Sequence, residues 1–89
     1  MKDLRGLRTD YGLSLRQLAE GIESSVQHLS SLERGMESLG DNLADRLAQF
    51  YGVTASEIRL RYQRSRSRWL LHESRIARDR IKAIERNPR

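Results

Sequence analysis

Few residues of this 89-residue chain have the types needed for covalent chemistry, and those that do are not spaced for it. His28 and His72 fall in different regions and read as solvated helix-surface histidines. There is no cysteine, no glycine-rich phosphate loop and no paired-carboxylate motif in context. The chain therefore reads as non-enzymatic, with no catalytic residue, metal or cofactor. What remains is non-covalent chemistry in two stretches. "SSVQHLSS", residues 24–31, offers hydroxyls and a carboxamide, and "RLRYQRSRSR", residues 59–68, offers arginines two or three apart.

The charge is divided along the chain. Residues 1–57 carry six Lys/Arg against nine Asp/Glu, a balance of −3, and the remaining residues carry eleven against three, a balance of +8. The total of +5 and a pI near 10.4 point to nucleic acid or another anionic partner, and the cations sit on an attachment to a mildly acidic domain. No apolar run approaches the roughly 20 residues needed to cross a bilayer, and "MKDLRGLRTDYG" has no uninterrupted hydrophobic stretch of the kind a signal peptide needs. With no cysteine to cross-link, burial must stabilise the fold, and the expected location is the cytoplasm, associated with the nucleoid.

Helices must position these groups. Leu4, Leu7 and Tyr11 recur at helical spacing across residues 2–11 and stop at Gly12. Ser14 and Gln17 form a capping-box pattern ahead of Leu15, Leu18, Ala19 and Ile22. Ser25 can cap a third helix whose buried face is Leu29 and Leu32 and which ends at Gly35. Asp41 can cap a fourth, carrying Leu43, Ala44, Leu47, Ala48 and Tyr51 up to Gly52, and Thr54 with Glu57 suggests a second capping box opening a fifth helix with Ile58 and Tyr62. The arginines of residues 59–68 would be spread around a helix rather than along one face, which fits either a helix extension or a flexible basic connector.

The combination "GLS", "LA", "HLSSLERG" and "LAQFYGV" in this register resembles the helix-turn-helix domain of the Cro/C1-type (XRE-like) transcriptional regulators, over about Leu4 to Ile58. The resemblance implies an all-α fold, a five-helix lambda-repressor-like DNA-binding domain in residues 1–58, with a basic C-terminal helical extension in 59–89. It places Val26, Gln27, His28, Ser30 and Ser31 on the base-facing side of a recognition helix. Gln27 is the strongest reader, because a carboxamide can pair bidentately with adenine. By the same resemblance Ser14, Arg16, Gln17, Ser25 and Arg34 are phosphate contacts, and Arg8 and Glu33 form a structural ion pair between the first and third helices. The family's usual turn glycine is Glu23 here, which at positive φ would cost roughly 1 kcal/mol. The loop "MESLGD" also lacks the basic residues that grip DNA backbone.

From Trp69 onward a helical period returns, with Trp69, Leu70, Ile76, Ala77, Ile81, Ala83 and Ile84 on one broad face. Glu73 and Arg80 lie within that face, where unpaired charge is expensive, so an antiparallel pair of such helices meeting near Ile76 and Ala77 would set Glu73 against Arg80 of its partner. The expected dimerisation residues are Trp69, Leu70, Glu73, Ile76, Ala77, Arg80, Ile81 and Ile84. The resulting expectation is a bacterial or phage transcriptional regulator, a repressor that binds double-stranded DNA as a homodimer, with a protein partner as a means of control and no membrane association. The alternative is a protein-interaction module on the same scaffold, an antirepressor or antitoxin-like partner.

Overall fold

The computed structural model describes the backbone of residues 1–86 and the side chains of residues 1–71. Five helices follow one another: α1 (Leu4–Asp10), α2 (Leu15–Gly21), α3 (Val26–Glu33), α4 (Asp41–Tyr51) and α5 (Ala55–Arg86). No strand occurs among the described residues, so the chain is all-α.

Local chemistry explains most of the helix starts. Asp3 caps α1 by accepting from the Gly6 N–H at 2.9 Å, satisfying a donor that has no intrahelical partner. Ser14 and Gln17 make the full capping box of α2, with the Gln17 N–H to Ser14 Oγ at 3.1 Å and the Ser14 N–H to Gln17 Oε1 at 2.8 Å. Ser25 caps α3 through the His28 N–H at 3.1 Å.

Two expected caps differ. Asp41 is the first residue inside α4 rather than its cap; Gly40 holds the cap position without a side-chain bond, and the Asp41 carboxylate pairs with Arg59 of α5. At α5 only half a capping box forms. Thr54 Oγ1 accepts from the Glu57 N–H at 3.1 Å, but the Glu57 carboxylate turns to Arg61, four residues on, at 3.2 Å.

The core is one cluster contributed by every helix: Leu4 and Leu7, Leu18 and Ala19, Leu29 and Leu32, Ala44, Leu47 and Ala48, and Ile58, with Ile22 at the end of α2. Tyr51 closes it on one side, its ring edge-on to Tyr11 at 5.0 Å and to Phe50 at 5.2 Å. The Tyr11 hydroxyl donates to the Tyr51 carbonyl at 2.9 Å. The Tyr51 hydroxyl itself is buried with no hydrogen-bond partner among the described residues. Burial first, and then the negative charge of Glu33, push its ionisation up to about 12.

The arginine stretch is a helix extension, not a flexible connector, and the helix expected from Trp69 onward is continuous with it. α5 runs unbroken for 32 residues, about 48 Å at 1.5 Å per residue, and its first half packs on α4, α1 and α3. What docks it is a stripe at 4 and 3 spacing: Ile58 is fully buried, Tyr62 donates to the Glu37 carbonyl at 2.5 Å, and Ser65, 2 % exposed, accepts from the Leu4 N–H at 3.1 Å. Trp69 continues the stripe. Three arginines fasten its flanks: Arg59 to Asp41, Arg61 to the Lys2 carbonyl at 2.9 Å, and Arg68 to Asp3 at 3.1 Å.

Candidate nucleic-acid interface

α2 and α3 are short, seven and eight residues, so their relative pose depends on the turn between them and on what braces it. The turn, residues 22–25, is closed by the Ser24 N–H to the Ala19 carbonyl at 2.8 Å. Glu23 takes φ 55, the only non-glycine residue with positive φ among those described, so the strain expected where the family has glycine is present in this chain. Arg46 of α4 donates to the Ile22 carbonyl at 3.3 Å, a brace that sequence reading did not identify. On the other side of the turn, Phe50 lies so close to Gly21 that a Cβ there would fall 2.3 Å from its ring.

Behind α3 sits a two-point ion pair between Arg8 and Glu33. Arg8 Nε and Nη2 donate to the two carboxylate oxygens of Glu33 at 2.8 and 3.0 Å, and Nη1 donates to the Leu13 carbonyl at 2.8 Å. Both side chains are nearly enclosed, at 11 % and 7 % exposure, so each charge depends on the other. The bonds to Glu33 raise the Arg8 pKa above its ordinary value against the cost of burial, and the guanidinium stays charged. This fork fixes α1, the turn ahead of α2 and the end of α3 to one another, through a partly buried network.

With its inner side held by Leu29, Leu32 and Glu33, α3 turns the opposite side outward. Gln27 is exposed there and Ser30 and Ser31 are half-buried, whereas Val26, also exposed, lies at the start of the helix on the flank next to Glu33. At about 100° per residue Gln27, Ser30, Ser31 and Arg34 share this face. The Gln27 carboxamide has no protein partner among the described residues. His28 differs from the others: its Nδ1 lies 2.5 Å from the Glu37 carboxylate, which ties it to the loop after α3. Ser14 and Ser25 each accept a backbone N–H with a lone pair, which leaves the hydroxyl proton available for an outside acceptor. Arg16 is exposed on α2, whereas the Gln17 side chain is engaged in the capping box.

Arg34 is exposed and lies over the Trp69 ring, 5.8 Å from its centroid. Trp69 therefore touches its own domain, while Leu70 beside it is 54 % exposed. The other expected dimerisation residues, Glu73, Ile76, Ala77, Arg80, Ile81 and Ile84, lie outside the residues whose side chains are described. Among the described residues no group of acidic residues or histidines is placed to hold a metal ion, and no helix is long and apolar enough to cross a membrane. The Arg34–Trp69 contact was missed in the sequence because it joins residues far apart in the chain. The spacing of Ile58, Tyr62, Ser65 and Trp69 was the available signal.

The helix-turn-helix family matches residues 4–58, which cover α1 to the start of α5. An HTH-type transcriptional regulator, DdrOP3 of Deinococcus deserti, is 38 % identical over 55 residues, which are 62 % of this chain and 43 % of that protein. The chain thus spans less than half the length of this relative. No solved structure gives a significant match. A match over more than half of the chain, in the register of the buried Leu18, Ala19, Ile22, Leu29 and Leu32, shows that the chain belongs to the Cro/C1-type helix-turn-helix family of transcriptional regulators.

Proposed function

We propose that the chain is a sequence-specific DNA-binding repressor that acts as a homodimer in the cytoplasm, with residues 1–58 reading the duplex and residues 59–89 supplying positive charge and the dimer contact. The observation that carries the reading is the outward Gln27 side chain on an α3 whose opposite side is fixed by the Arg8–Glu33 fork. A reading helix must be held rigidly, since hydrogen bonds to base edges discriminate only at fixed distance and angle. Val26, Ser30 and Ser31 would line the same groove, and the Ser14 and Ser25 hydroxyls with Arg16 would meet the flanking phosphates. Dimer binding would pair two half-sites about one helical turn apart and block polymerase access, which is the simplest route to repression.

The discriminating experiment is selection of bound duplexes from a random pool by the full chain and by Gln27→Ala. The reading predicts an enriched motif for the natural chain, lost preference at one base pair for Gln27→Ala, and a nearly unchanged salt slope. If no duplex is enriched at moderate salt, the surface serves protein contact instead. The −3 balance of residues 1–57 is the observation that would then come to the fore.

A further inference from the structure

The loop after α3, residues 35–40, carries no cation, and the domain around it is net acidic, yet a reading helix needs attraction to phosphate nearby. The structure brings α5 to that place. Gly35, at φ 76, lies against the α5 backbone so closely that a Cβ on it would sit 2.6 Å from Arg66 Cα and 3.2 Å from the Ser65 carbonyl oxygen. Tyr62 of the docked stripe donates to the Glu37 carbonyl of this loop, and Arg59 on the flank pairs with Asp41, the first residue of α4. At about 100° per residue Arg66 falls between them on the helix surface. It is exposed, and unlike Arg59, Arg61 and Arg68 it has no acidic or carbonyl partner among the described residues.

Arg34 immediately precedes Gly35 in the chain. It ends the outward face of α3 that carries Gln27 and Ser31, and its guanidinium lies over Trp69 of α5. This cation–π contact keeps the Arg34 cation beside α5, and a guanidinium carries the N–H fork that suits a two-point bond to phosphate. We propose that Arg34 and Arg66 form a phosphate clamp at the C-terminal end of the recognition helix, one arginine from the helix and one from α5, with Trp69 as the positioning residue for Arg34. The clamp does the work that the cation-free loop cannot. The inference rests on the DNA-binding reading above. Arg64 is the natural control: it is exposed and basic but lines the groove between α5 and α1, on the opposite flank.

The test uses the full chain and a fluorescein-labelled mixed-sequence duplex of about 30 base pairs, titrated by anisotropy from roughly 0.05 to 0.3 M potassium chloride. Arg34→Gln and Arg66→Gln should each lower the slope of log K against log salt by about 0.9 and weaken binding roughly fivefold at 0.15 M salt, while Arg64→Gln changes the slope by less than half as much. Trp69→Leu should behave like Arg34→Gln, and Trp69→Phe, which keeps an aromatic face, should recover the natural slope. Unchanged helicity and melting temperature in the exposed Arg34 and Arg66 variants exclude a folding defect. If the natural chain shows no salt-dependent binding, the DNA-binding reading fails and the clamp with it. If it binds but Arg64→Gln costs as much as Arg66→Gln, or neither clamp variant alters the slope, the clamp alone is overturned.

Discussion

Replacing Gly35 by alanine isolates the contact that seats α5 against the end of α3. Gly35 and Gly52 have nearly the same left-handed backbone, φ 76 and φ 71, but different surroundings. A Cβ on Gly52 meets nothing within 4 Å, so Gly52→Ala carries only the conformational cost of a left-handed L-residue, about 1–2 kcal/mol. At Gly35 the same cost applies, and the new carbon also falls 2.6 Å from Arg66 Cα, a backbone atom of a docked helix that cannot swing aside as a side chain would. Overpacking of this kind adds about 1–3 kcal/mol, so Gly35→Ala should cost roughly 2–5 kcal/mol in all. Urea unfolding followed by circular dichroism gives both values from linear extrapolation. Trp69, the single tryptophan, reports on the docking itself, and its emission should shift to the red in Gly35→Ala and stay unchanged in Gly52→Ala. Equal destabilisation by the two substitutions, with no change at Trp69, would refute the packing of α5 on α3.

Two further outcomes follow from the buried polar groups. Arg8→Met leaves the Glu33 carboxylate enclosed without its partner and should cost about 3–5 kcal/mol, whereas adding Glu33→Leu should recover much of that loss, because a buried ion pair is worth little against apolar residues of similar size. A double-mutant cycle in urea checks this, and additive losses would contradict it. Tyr51 ionises near 12 in the folded chain against 10.0 for the free side chain, so its neutral form is the one the fold favours. The associated stability, on the order of 2–3 kcal/mol, is complete below pH 10 and lost as pH rises through about 12. The phenolate absorbance of the natural chain minus that of Tyr51→Phe gives the midpoint directly, and a value near 10 would rule out the enclosed hydroxyl.

Local rules carried the frame of α2 and α3. The Ser14–Gln17 box, the Ser25 cap and the apolar spacing of α2 and α3 depend on residues three or four apart, and each forms as the spacing suggests. Rules of the same range failed at Asp41 and Glu57 because a distant or competing arginine took the carboxylate, Arg59 in one case and Arg61 in the other. The docking of α5 was hidden for a related reason. Its inner stripe includes Ser65, a polar residue that is buried because its hydroxyl satisfies the first N–H of α1, and apolar periodicity cannot register such a position. The arginines around it blurred the pattern further, since three of them are fasteners to Asp41, Lys2 and Asp3. The exposure of Gln27 followed from the positions of Leu29 and Leu32, whereas the meeting of Arg34 with Trp69 depends on how a whole helix crosses the domain.

The central claim is that α3 reads base pairs through Gln27. The most direct measurement is the binding of the full chain and of Gln27→Ala to the duplex enriched from a random pool and to variants with each base pair changed in turn. The account predicts that the natural chain loses about 1–3 kcal/mol when one particular A·T pair is changed, and that Gln27→Ala binds the original and changed duplexes equally with the same salt slope. Retention of the full preference at every position by Gln27→Ala would contradict it.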